Sequence, residues 1–249
     1  MAAGDRRLEG RNTLVTGAAK RVGRAISLAL ARQGANVAVH YSSSERDATK
    51  LVTEIEKLGA RAVALRADLS DQGELESLVE RAREALGKIE ILVNNASIFP
   101  SDTLATVELE SLQRNLEINA WAPLALSRAF AAQTERGHVV NLLDSRVSSF
   151  DRTHVAYILS KQVLAALTRM SALELAPSIA VNGVAPGLIL PPAGEGEEYV
   201  ERLARSLPLQ RRGTPEDVAA AVIYLVTSEF VTGETIYVDG GHHLTHLTD

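Results

Sequence analysis

The stretch "NTLVTGAAKRVGRAISLAL", residues 12–30, decides how the rest of the chain is read. Its opening "NTLVTG" is a short β-rich run, and from residue 22 the apolar positions fall at helical spacing. Gly17 lets the chain turn sharply between the two, and Gly23 lets the new helix pack closely on the strand. The helix N-terminus then offers free N–H groups and a partial positive charge, which suit a pyrophosphate. A purely structural strand-to-helix turn would use the same glycines. The choice between them depends on the rest of the chain.

Six more β-rich runs lie beyond it: "ANVAVHY" (35–41), "RAVALRADL" (61–69), "IEILVNNA" (89–96), "GHVVNLL" (137–143), "IAVNGVAP" (179–186) and "TIYVDG" (235–240). Most are near-continuous apolar runs, as expected of parallel strands covered on both faces. Between them, helical spacing predicts helices near 22–33, 44–58, 71–86, 107–135, 153–176 and 215–228. The last opens with Thr214 as N-cap, Pro215 at the first helical position, and Glu216 and Asp217 in the first turn. Strict alternation with right-handed crossovers predicts an α/β fold, a doubly wound Rossmann-type parallel sheet with helices on both faces. On the first strand of such an array the glycine-rich turn points to a dinucleotide. No linker or repeat divides residues 1–249, so one domain is expected, with a small substrate loop and helix inserted at about 187–210.

Composition narrows the function. The chain has 249 residues, 46% hydrophobic, with a net charge of −5 and no long basic block, a poor match to nucleic acid or an anionic membrane. Without cysteine it has no disulfide, thiolate zinc site or cysteine nucleophile. No apolar run approaches the roughly 20 residues of a membrane span. The opening "MAAGDRRLEGRN" lacks the apolar core of a secretory signal, so a cytoplasmic protein is expected. The three histidines of the tail, His242, His243 and His246, have no suggested carboxylate or cysteine partner, and no metal is expected.

Charge also selects the dinucleotide. A carboxylate ending the second strand would hold the adenosine ribose hydroxyls and repel a 2′-phosphate. Here that strand ends "VAVHYSSSER", with Tyr41, Ser42, Ser43 and Ser44 and no acid until Glu45, while Lys20 and Arg21 lie in the neighbouring loop. NADPH is favoured over NADH. The serines could equally cap the next helix, and Ser44 could do both.

Several ordered motifs then coincide: "TGAAKRVG", "NNAS" (94–97), Asn119 in "EINAWAP", "YILSK" (157–161), "VNGVAPG" (181–187) and "VDGG" (238–241). Together, from about residue 11 to 244, they resemble the short-chain dehydrogenase/reductase family. The resemblance implies a seven-stranded sheet of order 3-2-1-4-5-6-7 and a homotetramer, with the C-terminal tail packed at a subunit interface. It implies a catalytic Tyr157–Lys161 pair, a proton relay supported by Asn119, and Asp144 where the family usually has serine. The departures at Arg21 (usually glycine), Ser97 (usually glycine) and Asp144, with Phe99 nearby, resemble the pteridine reductase branch. By resemblance the cofactor is held by Gly17, Lys20, Arg21, Val22, Gly23, His40, Tyr41, Ser42, Ser43, Ser44, Asp68, Leu69, Asn95, Ala96, Ser97, Tyr157, Lys161, Pro186, Gly187 and Leu188, with Asn94 structural. Arg21, Ser97, Phe99, Asp144 and Tyr157 would line a pterin site, with Leu188 and Ile189 as its lid.

The residues support that chemistry directly. Tyr157 and Lys161, four apart, share one helix face about 6 Å apart. A nearby ammonium eases loss of the phenol proton, so Tyr157 can act as general acid while Lys161 lowers its pKa and holds the nicotinamide ribose. For a ketone, serine would suffice where Asp144 stands; reducing a C=N bond requires a proton at nitrogen, which an acid of raised pKa could give or relay. Ser145, the adjoining residue, could alternatively supply the ordinary hydroxyl. Phe99 could stack a flat heteroaromatic ring or simply pack the core. Arg21 could pair with a pyrophosphate oxygen or the pterin edge, and Ser97 adds a hydroxyl at the pocket floor. The expected function is NADPH-dependent reduction of dihydropterins, with dihydrofolate or oxidised pterins as further substrates. The alternatives are a 3-oxoacyl-thioester carbonyl reductase, or a non-catalytic NADP-sensing binding protein.

Overall fold

The computed structural model describes residues 6–191 and 196–245. Its seven strands are β1 (Asn12–Val15), β2 (Asn36–Tyr41), β3 (Ala62–Arg66), β4 (Ile91–Asn94), β5 (Gly137–Leu142), β6 (Ile179–Pro186) and β7 (Thr235–Val238). They form one parallel sheet in the order β3-β2-β1-β4-β5-β6-β7, the expected topology. Side chains alternate between two cores, so both faces must be apolar. Val15, Val93 and Val140 enter the core shared with helices α1 (Arg21–Arg32) and α8 (Pro215–Thr227). Their neighbours Leu14, Leu92 and Val139 enter the opposite core with α3 (Gln72–Leu86) and α5 (Ala122–Gln133).

The remaining helices are α2 (Glu45–Glu56), α4 (Leu109–Leu116), α6 (Val155–Leu175), α7 (Glu197–Ala204) and α9 (His242–Thr245). Thr214 caps α8 as the sequence predicts, and Asp217 closes a reciprocal capping box with it. The stretch expected as one helix at 107–135 is instead broken by a π-helical turn at Glu117–Trp121. Pro123 gives the reason. It cannot donate to the carbonyl four residues back, and its ring would press on that carbonyl, so the preceding turn widens. Asn119 sits inside that widened turn.

The strand order reverses at β1, which is flanked by β2 and β4. Ligands of open α/β sheets bind where the carboxyl ends of such strands diverge. The candidate site lies there.

Candidate active site

Two adjoining cavities of about 470 and 450 Å³ open at the carboxyl edge of the sheet, sharing Arg21, Val22, Asn95 and Ser97. The smaller carries most of the residues expected to hold the adenosine and phosphates: Gly17, Lys20, Gly23, His40, Ser42, Asp68, Leu69 and Ala96. The cradle is cut to backbone dimensions. A Cβ on Gly17, at φ +59°, would meet Ala96 Cα at 2.9 Å, and one on Gly23 would meet Gly17 O at 2.3 Å. Arg21, Val22 and Gly23, the first turn of α1, line this cavity, and the N–H groups of a helix's first turn have no intrahelical acceptor. Thr16 and Asn95 brace it: Thr16 Oγ1 accepts from the Asn95 and Ala96 N–H groups, and Asn95 Nδ2 donates to Thr16 O at 2.9 Å and Gly17 O at 3.0 Å. These features fit a dinucleotide pyrophosphate.

His40 fixes the loop itself. Its Nδ1 accepts from Gly17 N–H at 3.0 Å and its Nε2 lies 3.1 Å from Ala67 O, so the neutral ring ties the turn to the end of β3. Burial holds this imidazole down at about 4. Both ring nitrogens are occupied, so His40 shapes the cavity through Gly17. Asp68, whose Oδ1 accepts from Ser70 N–H and Oγ, is held below the usual carboxylate range by those bonds.

The larger cavity gathers the chemistry. It is lined by Arg21, Ser97, Phe99, Asp144, Tyr157, Lys161, Pro186, Gly187, Leu188 and Ile189, all expected, and by Arg146, His154 and His242, which carry no signal in the sequence motifs. The Tyr157 hydroxyl donates to Asp144 Oδ2 at 2.9 Å. Arg146 grips the same carboxylate with Nε on Oδ1 and Nη2 on Oδ2, each at 3.0 Å, while its Nη1 donates to Asp151. Lys161 Nζ donates to Leu142 O at 2.7 Å and lies 5.8 Å from the Tyr157 ring centroid. Burial lowers this ammonium to about 8. Asn119 stands behind the cavity wall: its Oδ1 accepts from Ser97 Oγ and Ile98 N–H, and its Nδ2 lies within hydrogen-bond reach of Ile98 O and Ser160 Oγ.

Comparison with known proteins gives this arrangement a family. Residues 17–243 match the family model described as Enoyl-(Acyl carrier protein) reductase. The chain is 34% identical to the L-rhamnose 1-dehydrogenase (NAD(P)(+)) of a Sphingomonas species, over 95% of this chain and 98% of that one. The chain belongs to the short-chain dehydrogenase/reductase family. A 3-oxoacyl-[acyl-carrier-protein] reductase FabG from Staphylococcus aureus is 31% identical over 94% of this chain and 98% of its own. Among solved structures, FolM Alternative dihydrofolate reductase 1 from Brucella canis, complexed with NADP, superposes with a TM-score of 0.92 at 35% identity, covering 96% of each chain. As a short-chain dehydrogenase/reductase the chain is an NAD(P)-dependent oxidoreductase.

Within this short-chain dehydrogenase/reductase site several expectations change. The raised pKa expected of Asp144 is reversed. Burial pushes the carboxyl up, but the hydrogen bonds and charge of Arg146, with the Tyr157 hydroxyl, outweigh it and hold it below the usual carboxylate range. Tyr157 moves opposite to expectation as well: burial, then the Asp144 charge, push its phenol well above 10, against the pull of Arg146. Lys161 does not set that balance here, because its ammonium is turned to the Leu142 carbonyl. Of the two candidates beside each other, Asp144 and not Ser145 meets the tyrosine.

Several more residues differ from expectation. One face of Phe99 is taken by His154, stacked at 4.0 Å, and Tyr157 meets the ring edge-on at 4.5 Å. Tyr41 packs against the core, and Ser43 and Ser44 lie outside both cavities. Ser44 takes the N-cap position of α2, yet its hydroxyl makes no cap hydrogen bond. Lys20 lines the smaller cavity as expected, with its ammonium paired to Asp47 at 2.9 Å. Arg21 donates from Nη2 to Pro191 O at 2.8 Å, tying the glycine-rich turn to the segment after β6. It holds φ +53°, the left-handed conformation that explains the family's usual glycine at this position. Asn94 is structural as expected, its Nδ2 donating to Asn141 Oδ1 at 2.9 Å.

In the tail, His243 Nδ1 lies 2.8 Å from Asp239 Oδ2, and His246 falls outside the described residues. Among the described residues no group of three His, Cys, Asp or Glu is placed to hold a metal, and no helix is long and apolar enough to cross a membrane. For Arg146 the sequence does hold one indirect clue. A carboxylate placed at a partly apolar cleft needs a cation to remain charged, and the nearest candidate stands two residues on.

Proposed function

We propose that the protein is an NADPH-dependent reductase of dihydropterins, with dihydrofolate as a second substrate, producing the tetrahydro form. The observation that carries this reading is the Tyr157–Asp144 pair, a hydroxyl donor set against a carboxylate at 2.9 Å in the wall of the larger cavity. NADPH supplies the hydride when bound; Gly17, Gly23, Ala96 and the first turn of α1 would hold its phosphates, with Ser42 and Lys20 near the adenosine end.

The charge on Asp144 suits nitrogen better than oxygen. A C=N bond is activated by protonation, and a neighbouring carboxylate stabilises the cationic nitrogen that results. A ketone develops negative charge on oxygen, which the same carboxylate would oppose. Tyr157 then turns its hydroxyl proton from Asp144 Oδ2 onto the nitrogen and recovers a proton from solvent, Asp144 balances the charge of the protonated nitrogen, and Lys161 keeps a second cation behind the phenol. Phe99, 40% exposed with one face covered by His154, offers an aromatic wall for a flat heterocycle. The kinship with the Brucella dihydrofolate reductase supports the same substrate class.

The similarity to the staphylococcal 3-oxoacyl reductase favours a second reading, thioester ketone reduction. Following NADPH oxidation with dihydrobiopterin, dihydrofolate and an acetoacetyl thioester separates the two. Turnover of the pterin supports the proposal; turnover of the thioester alone removes it. We further infer a homotetramer, supported by a line of exposed apolar residues on α6, Leu159, Val163, Met170 and Leu173. Light scattering on the purified protein tests it, and a monomer in solution would count against it.

A further inference from the structure

We propose that Arg146 is a positioning residue of the reaction: it keeps Asp144 an ionised acceptor and fixes which carboxylate oxygen faces the Tyr157 hydroxyl. The identity of the nitrogen substrate rests on the proposed pterin reductase reading; the action of Arg146 on Asp144 does not.

The geometry has two ends. At the front, the guanidinium forks onto both Asp144 oxygens at 3.0 Å, and the Arg146 backbone N–H adds a third bond to Oδ1 at 2.9 Å. A bidentate fork of this kind sets the plane of the carboxylate as well as its charge. It leaves Oδ2 as the oxygen shared with Tyr157. At the back, Nη1 is bound by Asp151, whose own Oδ1 accepts from Thr153 N–H and Oγ1 at 2.8 Å and whose Oδ2 lies 3.0 Å from His154 Nδ1. The guanidinium carbon also lies 5.6 Å from the Phe99 ring centroid and 5.9 Å from that of Tyr157. Arg146 is thus held on several sides, and the short turn Ser145–Ser148 delivers it back over the residue two before it.

Other charged and titratable groups line the same cavity or contact Arg146. Tyr157 and Lys161 approach from α6, His154 from its N-cap, Asp151 from the preceding loop, Arg21 from the start of α1 and His242 from α9. Lys161 is directed to a backbone carbonyl, and Arg21 to Pro191. Arg146 is the cation in direct contact with Asp144. Take its charge away, and burial is left to act on a carboxylate that is 13% exposed.

The test uses the full chain with aspartate carboxyl carbons labelled for NMR, an Asp144→Asn variant assigning the signal. Arg146→Gln should move the Asp144 titration upward in the free protein. Its kcat/KM should gain an acid limb falling about tenfold per pH unit, where the wild type stays flat. Arg146→Lys restores the charge without the fork. It should return the titration and acid limb toward wild type while kcat stays about tenfold low. If Arg146→Gln fails to fold, this Lys variant decides alone, since wild-type kcat in it would overturn the fixing of the carboxylate. An unchanged Asp144 signal in Arg146→Gln overturns the inference, as does faster turnover near neutral pH, which would make Asp144 the acid. A shifted signal without pterin turnover would remove the pterin reading and leave the Arg146 assignment standing.

Discussion

Asp144 Oδ2 accepts from two donors at once, the Tyr157 hydroxyl at 2.9 Å and Arg146 Nη2 at 3.0 Å. Such an oxygen serves as a charged acceptor, so its value to the reaction lies in charge and orientation. Asp144→Asn keeps the shape of the side chain and removes the charge. With dihydropterin its kcat/KM should fall about 10²- to 10³-fold, the loss typical of one preorganised electrostatic group. NADPH affinity, measured by fluorescence titration, should hardly move, because the cofactor cradle lies around Gly17 and Gly23. Equal pterin turnover by wild type and variant would show that the charge is idle.

Arg21 gives a prediction in which stability and function separate. Its φ of +53° costs a residue with a Cβ about 1–2 kcal/mol. Arg21→Gly relieves that strain but adds freedom to the unfolded chain, offsetting about 0.5–1 kcal/mol. Thermal melting should therefore stay level or rise slightly. The same change deletes the 2.8 Å bond to Pro191 O and a wall shared by both cavities. The substrate KM should climb about tenfold with kcat nearly unchanged, as for loss of uniform binding. A variant that melts early and binds substrate normally would contradict both halves.

The fold was legible because the physics behind it is local and periodic. Strands such as Ile179–Pro186 match the sequence pattern residue for residue, since a strand covered on both faces reads as a near-continuous apolar run, interrupted here by the hydrogen-bonded Asn182. The π-helical turn at Glu117–Trp121 is not legible, because Pro123 stands two residues past it and nothing in the apolar spacing marks a widened turn. In the site, Asp144 and Tyr157 were readable from their types and separation. Arg146 was signalled only indirectly, by the need of a buried carboxylate for a cation, because a 3₁₀ turn and not a helix or strand period returns its guanidinium to residue 144. Ser43 and Ser44 show the converse. Their hydroxyls suit a phosphate chemically, but the start of α2 sets them outside both cavities.

The phosphate cradle predicts a steric result. In Gly23→Ala the new Cβ would fall 2.3 Å from Gly17 O and 2.6 Å from Asn95 Nδ2, both part of the braced turn. The backbone would have to shift, at about 1–3 kcal/mol for an overpacked position. The NADPH dissociation constant should rise at least about tenfold, about 1.4 kcal/mol, and calorimetric titration reads it directly. Asn95→Ala should also loosen the turn, by removing the bonds to Thr16 O and Gly17 O without a clash. Its affinity should fall less than that of Gly23→Ala, and the reverse order would argue against a cradle limited by space.

The pH dependence of stability rests on two histidines kept neutral in the fold. Burial, chiefly, holds His40 at about 4, and burial with the charges of Arg11 and Arg136 holds His138 at about 4, against an ordinary 6.5. Above pH 6.5 neither state carries the proton, and the full stability is present. As pH falls below 6.5 the unfolded chain binds protons that the folded chain refuses, so stability is lost until about pH 4, where the folded imidazoles also titrate. The slope should approach 1.4 kcal/mol per pH unit for each histidine, about 3 kcal/mol in all for His40. Asp144 and Asp68 act elsewhere. Their folded pKa values lie below the usual carboxylate range, so their contribution is lost only at lower pH. Urea denaturation at several pH values from 7 to 4.5 checks the window, and His40→Gln should flatten the slope by one histidine's share. It should also weaken NADPH binding, because Gly17 N–H loses the ring nitrogen that holds it. An unchanged slope in His40→Gln would mean that the ring is protonated or exposed in the folded protein.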